Sequence, residues 1–213
     1  MNVNEELIRY VESEILPRYD AFDRAHRRDH AQTVIAASLR LAQHYEVNPD
    51  AVYAVAAYHD TGLCEGRERH HEVSARIVRE DRSLRRWFSE AEVATIAEAA
   101  EDHRASASRP PRTIYGCIVA EADRVIDCRT TLRRTVQYGL EHNPELDREG
   151  QFARFAGHLR TKYGEGGYLQ LWLPESENAG RLAELRSVIR DADRLRTLFD
   201  ALYDEERAES GEN

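Results

Sequence analysis

The chain has 213 residues, enough to bury one substantial core, and a single domain is expected. Hydrophobic residues at 41% and charged residues at 32% exclude a chain too polar to fold, and no apolar run reaches the length of a bilayer span. A formal charge of -9 repels the backbone of a duplex nucleic acid, whereas a small phosphorylated substrate remains compatible if a bound divalent metal supplies positive charge locally.

The opening MNVNEELIRY has neither a basic leader nor an apolar h-region, so a cytoplasmic protein is expected. Cys64, Cys117 and Cys128 are widely separated and form no CxxC pair, which predicts reduced, mostly buried thiols rather than a disulfide framework or a thiolate zinc knuckle.

Along the chain, apolar residues recur at three and four positions, as in Leu7, Tyr10, Val11 and Ile15, and again in Val34, Ala37 and Leu41. Turn residues interrupt this period near Pro17, at Asn48-Pro49-Asp50, at Thr61-Gly62, at Ser108-Arg109-Pro110-Pro111, at Asn143-Pro144 and at Gly164-Glu165-Gly166-Gly167. The spacing predicts helices over 4–17, 27–46, 50–60, 70–80, 89–104, 111–126, 128–141, 148–162 and 178–203. Asp50 is the expected N-cap of AVYAVAAYH, Ser89 with Glu92 reads as a capping box, and the tail EERAESGEN is expected to fray. The reading is an all-α helical bundle over 1–140 with a C-terminal helical extension over 141–213. That extension either packs on the same core, the reading favoured here, or serves a homodimer.

Helix 50–60 is the most uniformly apolar, so it should cross the core and deliver His59 and Asp60 to an interior point where Thr61-Gly62 stops the helix. An imidazole beside a carboxylate suits a divalent metal, although an isolated pair of this kind is ordinarily a buried histidine beside its own carboxylate partner. Here the pair is joined by His30, His70, His103 and Asp123, each on a separate predicted helix, which is how bundle cores assemble metal sites. His26, His44, His142 and His158 lack partners of the right type and spacing. Glu121 and Asp127 flank Asp123 on other helix faces. Gly164-Glu165-Gly166-Gly167 has neither a preceding strand nor a following Lys-Ser/Thr, so it reads as a helix-ending turn and not a phosphate loop.

The stretches RRDHAQTVIAASLRLA, AVYAVAAYHDTGL, HHEVSARIV, AAEDHRAS and IVAEADRVID resemble, in order and spacing, the HD-domain superfamily of metal-dependent phosphohydrolases. The resemblance covers about residues 20–130. It implies an HD-domain bundle with His30, His59, Asp60 and Asp123 as core ligands, and with His70 and His103 as the extra pair of members that hold two metals. His71 follows His70 and leaves that position ambiguous; the pattern of HHEVSARI favours His70. The resemblance further implies one or two divalent ions (Mn, Fe, Co, Ni, Mg or Zn), with Asp60 bridging them and His59 and Asp60 as the catalytic pair. Arg67, Arg104 and Arg124 are candidate binders of substrate phosphate.

Three functions follow from this pattern. The favoured one is a phosphohydrolase acting on a nucleotide or another small phosphate ester through a metal-activated water. The alternative is a mixed-valence diiron oxygenase of the HD-domain type, which uses a similar ligand set. A non-catalytic nucleotide or metal sensor is the third.

Overall fold

The computed structural model describes residues 2–23, 26–106, 109–124 and 126–209. The expectations that fell on Ser108, on Val125 and on residues 210–213 lie outside the described residues. Among those described there is no strand, and the all-α reading holds. The α-helices are α1 (Glu5–Tyr10), α2 (Arg28–Ala42), α3 (Pro49–Tyr58), α4 (His70–Glu80), α5 (Glu90–Asp102), α6 (Ile114–Ala122), α7 (Cys128–His142), α8 (Arg148–Tyr163), α9 (Asn178–Arg190) and α10 (Ala192–Glu209).

Several boundaries differ from the sequence expectation for identifiable reasons. Pro17 has no N–H to give the ladder, so the first helix loosens into a π turn over Val11–Ile15, where the Leu16 N–H donates to the Val11 carbonyl, and then tightens into a 3-10 turn over Leu16–Ala21. Asn48, not Asp50, caps α3: its side chain accepts the Asp50 N–H, and the Asp50 carboxylate instead accepts the N–H of Asn4. The expected helix 178–203 is two helices, because Asp191 turns extended and its carboxylate accepts the Arg194 N–H to open α10. The tail expected to fray is helical through Glu209 and carries a buried Glu206. The Ser89–Glu92 capping box forms as predicted.

The chain divides into two compact units, Met1–Arg124 with Trp172–Ser176, and Val125–Leu171 with Glu177–Asn213. The division falls after Arg124 and not at 140, because α7 packs with α8 and α10.

In the first unit α3 is the axis. Every residue from Ala51 to Tyr58 is buried, and α2, α5 and α6 pack around it. Its alanines at 51, 54, 56 and 57 let neighbouring backbones approach closely, while Leu7, Val11, Ile15, Val34, Ile96 and Val119 fill the space between. Each such aliphatic side chain contributes about 1.5–3 kcal/mol on full burial. The 3-10 turn Thr61–Glu65 follows α3 and lies against α4. Gly62 makes this possible: its N–H donates to the Ser74 hydroxyl at 2.9 Å, and a Cβ there would sit 2.0 Å from the His70 carbonyl oxygen. Segment Trp172–Ser176 closes the unit, with Leu173 packed on Ala42, Val52 and Ile118. The Trp172 N–H and the Ser176 hydroxyl both donate to the buried carboxylate of Glu121, at 2.8 and 2.5 Å.

The second unit is formed by α7 to α10 around Phe155, Leu159, Leu185, Val188, Leu195 and Phe199, with the Phe155 and Phe199 rings 5.1 Å apart. Arg148 with Asp200 and Asp204, and Arg196 with Glu149 and Asp200, form partly exposed ion pairs of small individual worth. No helix of the described residues is long and apolar enough to cross a membrane. The three cysteines are unpaired; contrary to expectation Cys64 is exposed, and Cys117, packed at the edge of the Ala42, Val52 and Ile118 cluster, and Cys128 are only partly buried.

Candidate metal centre

The candidate ligands converge because each lies at the end of a helix in the first unit. His59, His103 and Asp123 occupy the C-terminal caps of α3, α5 and α6, while His30 lies in the first turn of α2 and His70 opens α4. Three helix C-termini, with partial negative charge, and two N-termini, with partial positive charge, therefore meet at one place, and their opposed fields leave the charge of the site to its side chains.

Two groups form. His59 Nε2 lies 3.4 Å from His30 Nε2 and 3.3 Å from Asp60 Oδ2, and His30 Nε2 lies 3.1 Å from Asp123 Oδ1. On the other side of the same carboxylate, Asp60 Oδ1 lies 3.4 Å from His70 Nε2 and 3.3 Å from His103 Nε2, which are 3.1 Å from each other. The structure thus brings together all six ligands expected from the sequence, divides them His30, His59 and Asp123 against His70 and His103, and shares Asp60 between the two groups. His70, not His71, faces the cluster. The potential ligand atoms of His30, His59 and Asp60, and those of Asp60, His70 and His103, lie within 4.8 Å of one another.

These residues fit a metal on two observations. First, Nδ1 of His59, His70 and His103 each lies at hydrogen-bond distance from a backbone carbonyl, those of Ala56, Arg67 and Ala100 at 2.7, 2.8 and 2.5 Å. A carbonyl only accepts, so Nδ1 carries a proton in each ring, and Nε2, turned inward, is the atom left to meet a metal. With Nδ1 protonated in both rings, the Nε2 atoms of His70 and His103, 3.1 Å apart, require either a second proton or a metal ion between or beside them. Second, neighbouring nitrogen and oxygen ligands bound at about 2.0–2.2 Å in tetrahedral or octahedral sites lie about 2.8–3.6 Å apart, close to the spacings found here, with His30–Asp60 and His59–Asp123 slightly wider at 3.7 and 3.8 Å.

The electrostatics agree. Burial pushes the Asp60 carboxyl up, but His59 and His103 outweigh it and hold it well below the usual carboxylate range. Asp123 is lowered in the same way, against burial, by the His30 hydrogen bond and then His59. Burial disfavours a charged His59, yet Asp60 and then Asp123 raise it to about 9, whereas burial and then His103 press His70 down to about 4. The anionic charge of the cluster is thus concentrated on its two carboxylates. The cluster is largely buried; the side chains of Asp123, in one group, and His70, in the other, keep 24% and 15% of their exposure.

The three candidate arginines differ. Arg67 is exposed and reaches Asp23, and Arg104 is half-buried with a nitrogen 2.7 Å from the Glu68 carbonyl, so both flank His70 and His103. Arg124 is buried, its Nη1 donating to the Ala120 carbonyl of its own helix and its Nε left without a hydrogen-bond partner. His26 is not without a partner: its Nδ1 lies 2.8 Å from Asp23 Oδ1, and its ring stands edge-on to His30. Asp127 caps α7 by accepting the Thr130 N–H, and Glu121 holds segment Trp172–Ser176. Tyr19, which no motif marks, touches the cluster, with its ring centre 6.3 Å from that of His59.

A family model described as the HD domain matches residues 27–126, the stretch that carries all six candidate ligands. That stretch of the chain is an HD domain, a family whose members are generally metal-dependent phosphohydrolases. No curated protein and no solved structure matches the chain.

Proposed function

We propose that this protein is a metal-dependent phosphohydrolase acting on a nucleotide or another small phosphate ester. The observation that carries the reading is the single carboxylate of Asp60 set between two groups of imidazoles, with Oδ2 toward one and Oδ1 toward the other. Held there by His30, His59, Asp60, His70, His103 and Asp123, one or two divalent ions would supply Lewis acidity and lower the pKa of a bound water. The chain's own residues do the rest. Asp60, kept ionised, can hold and orient the attacking water through an oxygen and accept its proton. His59, fixed by its Nδ1 bond to Ala56, keeps its lone pair aimed at the same point. Substrate would reach the cluster beside the partly exposed His70, and Arg67 and Arg104, which neighbour His70 and His103 in the chain, would bind its phosphate oxygens.

The test is elemental analysis of protein purified without chelators or an affinity-metal column, followed by phosphate release from nucleotides and simple esters with Mn, Co, Ni and Mg. Metal content and phosphate release that both vanish in Asp60→Ala, with helical content retained, support the hydrolase. Tightly bound iron with no phosphate release under any metal overturns it in favour of an oxygen-using diiron enzyme. Tight nucleotide binding without turnover overturns it in favour of a sensor.

A further inference from the structure

We infer that Tyr19 is a positioning residue of the metal centre, its hydroxyl spanning the break at the end of α3 and so holding Asp60 where both imidazole groups share it. The inference rests on the reading of the cluster as a metal site. Had α3 continued past Tyr58, the Asp60 N–H would donate to the Ala56 carbonyl and the Thr61 N–H to the Ala57 carbonyl. The first acceptor is taken by His59 Nδ1, and Asp60 leaves helical geometry at φ -109° and ψ 6°. Two backbone groups at a fully interior turn thereby lose their helical partners, and a buried N–H or C=O without a partner is costly.

One phenol replaces both. The Tyr19 hydroxyl donates to the Ala57 carbonyl at 2.9 Å and accepts the Asp60 N–H at 3.3 Å. The Thr61 hydroxyl completes the repair by donating to the Tyr58 carbonyl at 2.8 Å. Tyr19 is fully buried in the 3-10 turn Leu16–Ala21, ahead of the segment the family model matches. Its ring packs beside His59, so one side chain braces the backbone of Asp60 and the ring of its neighbour. A carboxylate whose two oxygens must serve two different groups tolerates little rotation, and the backbone it hangs from must be fixed.

The experiment is a Co2+ titration of Tyr19→Phe by visible absorption and calorimetry, with Tyr58→Phe as the companion. Tyr58 is also fully buried, and its hydroxyl donates to Asp81 instead of to the ligand turn. Tyr19→Phe should keep the far-ultraviolet helical signal, bind Co2+ at least about tenfold more weakly and shift the visible band, in the range for partners that support metal ligands. Tyr58→Phe should lower the melting temperature without moving affinity or band. Wild-type affinity and spectrum in Tyr19→Phe overturn the inference, as does an equal loss in both variants. If Tyr19→Phe does not fold, hydrogen exchange of the Asp60 amide in metal-free wild-type protein decides: protection supports the bond to Tyr19, and fast exchange overturns it. Failure of the wild type to bind Co2+ instead sinks the metal reading itself.

Discussion

Replacing Gly62 by Ala measures how closely the turn after α3 must lie on α4. A Cβ at residue 62 would come within 2.0 Å of the His70 carbonyl oxygen and 2.6 Å of the Ser74 nitrogen, where ordinary contact begins at 3.4 Å. Both atoms belong to the backbone of α4, so no rotamer change relieves the clash, and turn and helix must separate by roughly 1.4 Å. Overpacking of this kind costs about 1–3 kcal/mol, and a backbone obstacle puts the cost near the upper end. For a chain of this size each kcal/mol lowers Tm by about 2–4 °C, which gives a drop of roughly 6–12 °C. The same retreat draws His70, in the first turn of α4, away from Asp60 and His103, whereas metal–ligand distances tolerate only about 0.2 Å. Thermal unfolding followed by circular dichroism, with elemental analysis of the purified variant, reads both effects. A Tm within about 1 °C of wild type together with unchanged metal content would refute the reasoning.

His70→Ala should lower the metal content while His71→Ala leaves it unchanged, because only His70 turns Nε2 toward Asp60; equal losses on elemental analysis would contradict the assignment. Glu121→Ala removes the acceptor of the Trp172 N–H and the Ser176 hydroxyl and should destabilise by about 2–3 kcal/mol in urea unfolding, with Glu121→Gln losing less. Burial raises the Asp81 carboxyl, but hydrogen bonds from Tyr10 and Tyr58 prevail and leave it below its ordinary value. Its contribution is therefore complete above the unfolded carboxylate range and fades as pH falls through the folded value. The Tm gap between wild type and Asp81→Asn should accordingly narrow between about pH 5 and pH 3, and a gap independent of pH would count against this account.

The candidate ligands could be singled out because each is tied to a local signal: His59, Asp60 and Asp123 follow the apolar helices α3 and α6, and His30, His70 and His103 sit near the ends of α2, α4 and α5. Helix identity follows from periodicity within a few turns, and so the all-α bundle could be read directly. What escaped depends on contacts distant in sequence. Tyr19 meets Ala57 and Asp60 across some forty residues, and Glu121 meets Trp172 and Ser176 across more than fifty, with no spacing rule to announce either. Asp191 looks like any helix-surface acid until its carboxylate is seen to open α10. The boundary after Arg124 was missed because α7 is amphipathic whichever partners it chooses.

The return of Trp172–Ser176 to the first unit has a consequence for how the chain is made. Translation delivers Glu121, Ala42, Val52 and Ile118 well before the N–H, hydroxyl and Leu173 side chain that they receive. The first unit therefore completes itself late, after the intervening α7 and α8 have left the ribosome, and its nascent form carries an uncovered apolar face in the meantime. A fragment that stops at residue 126, where the family match ends, stops short of its own last layer.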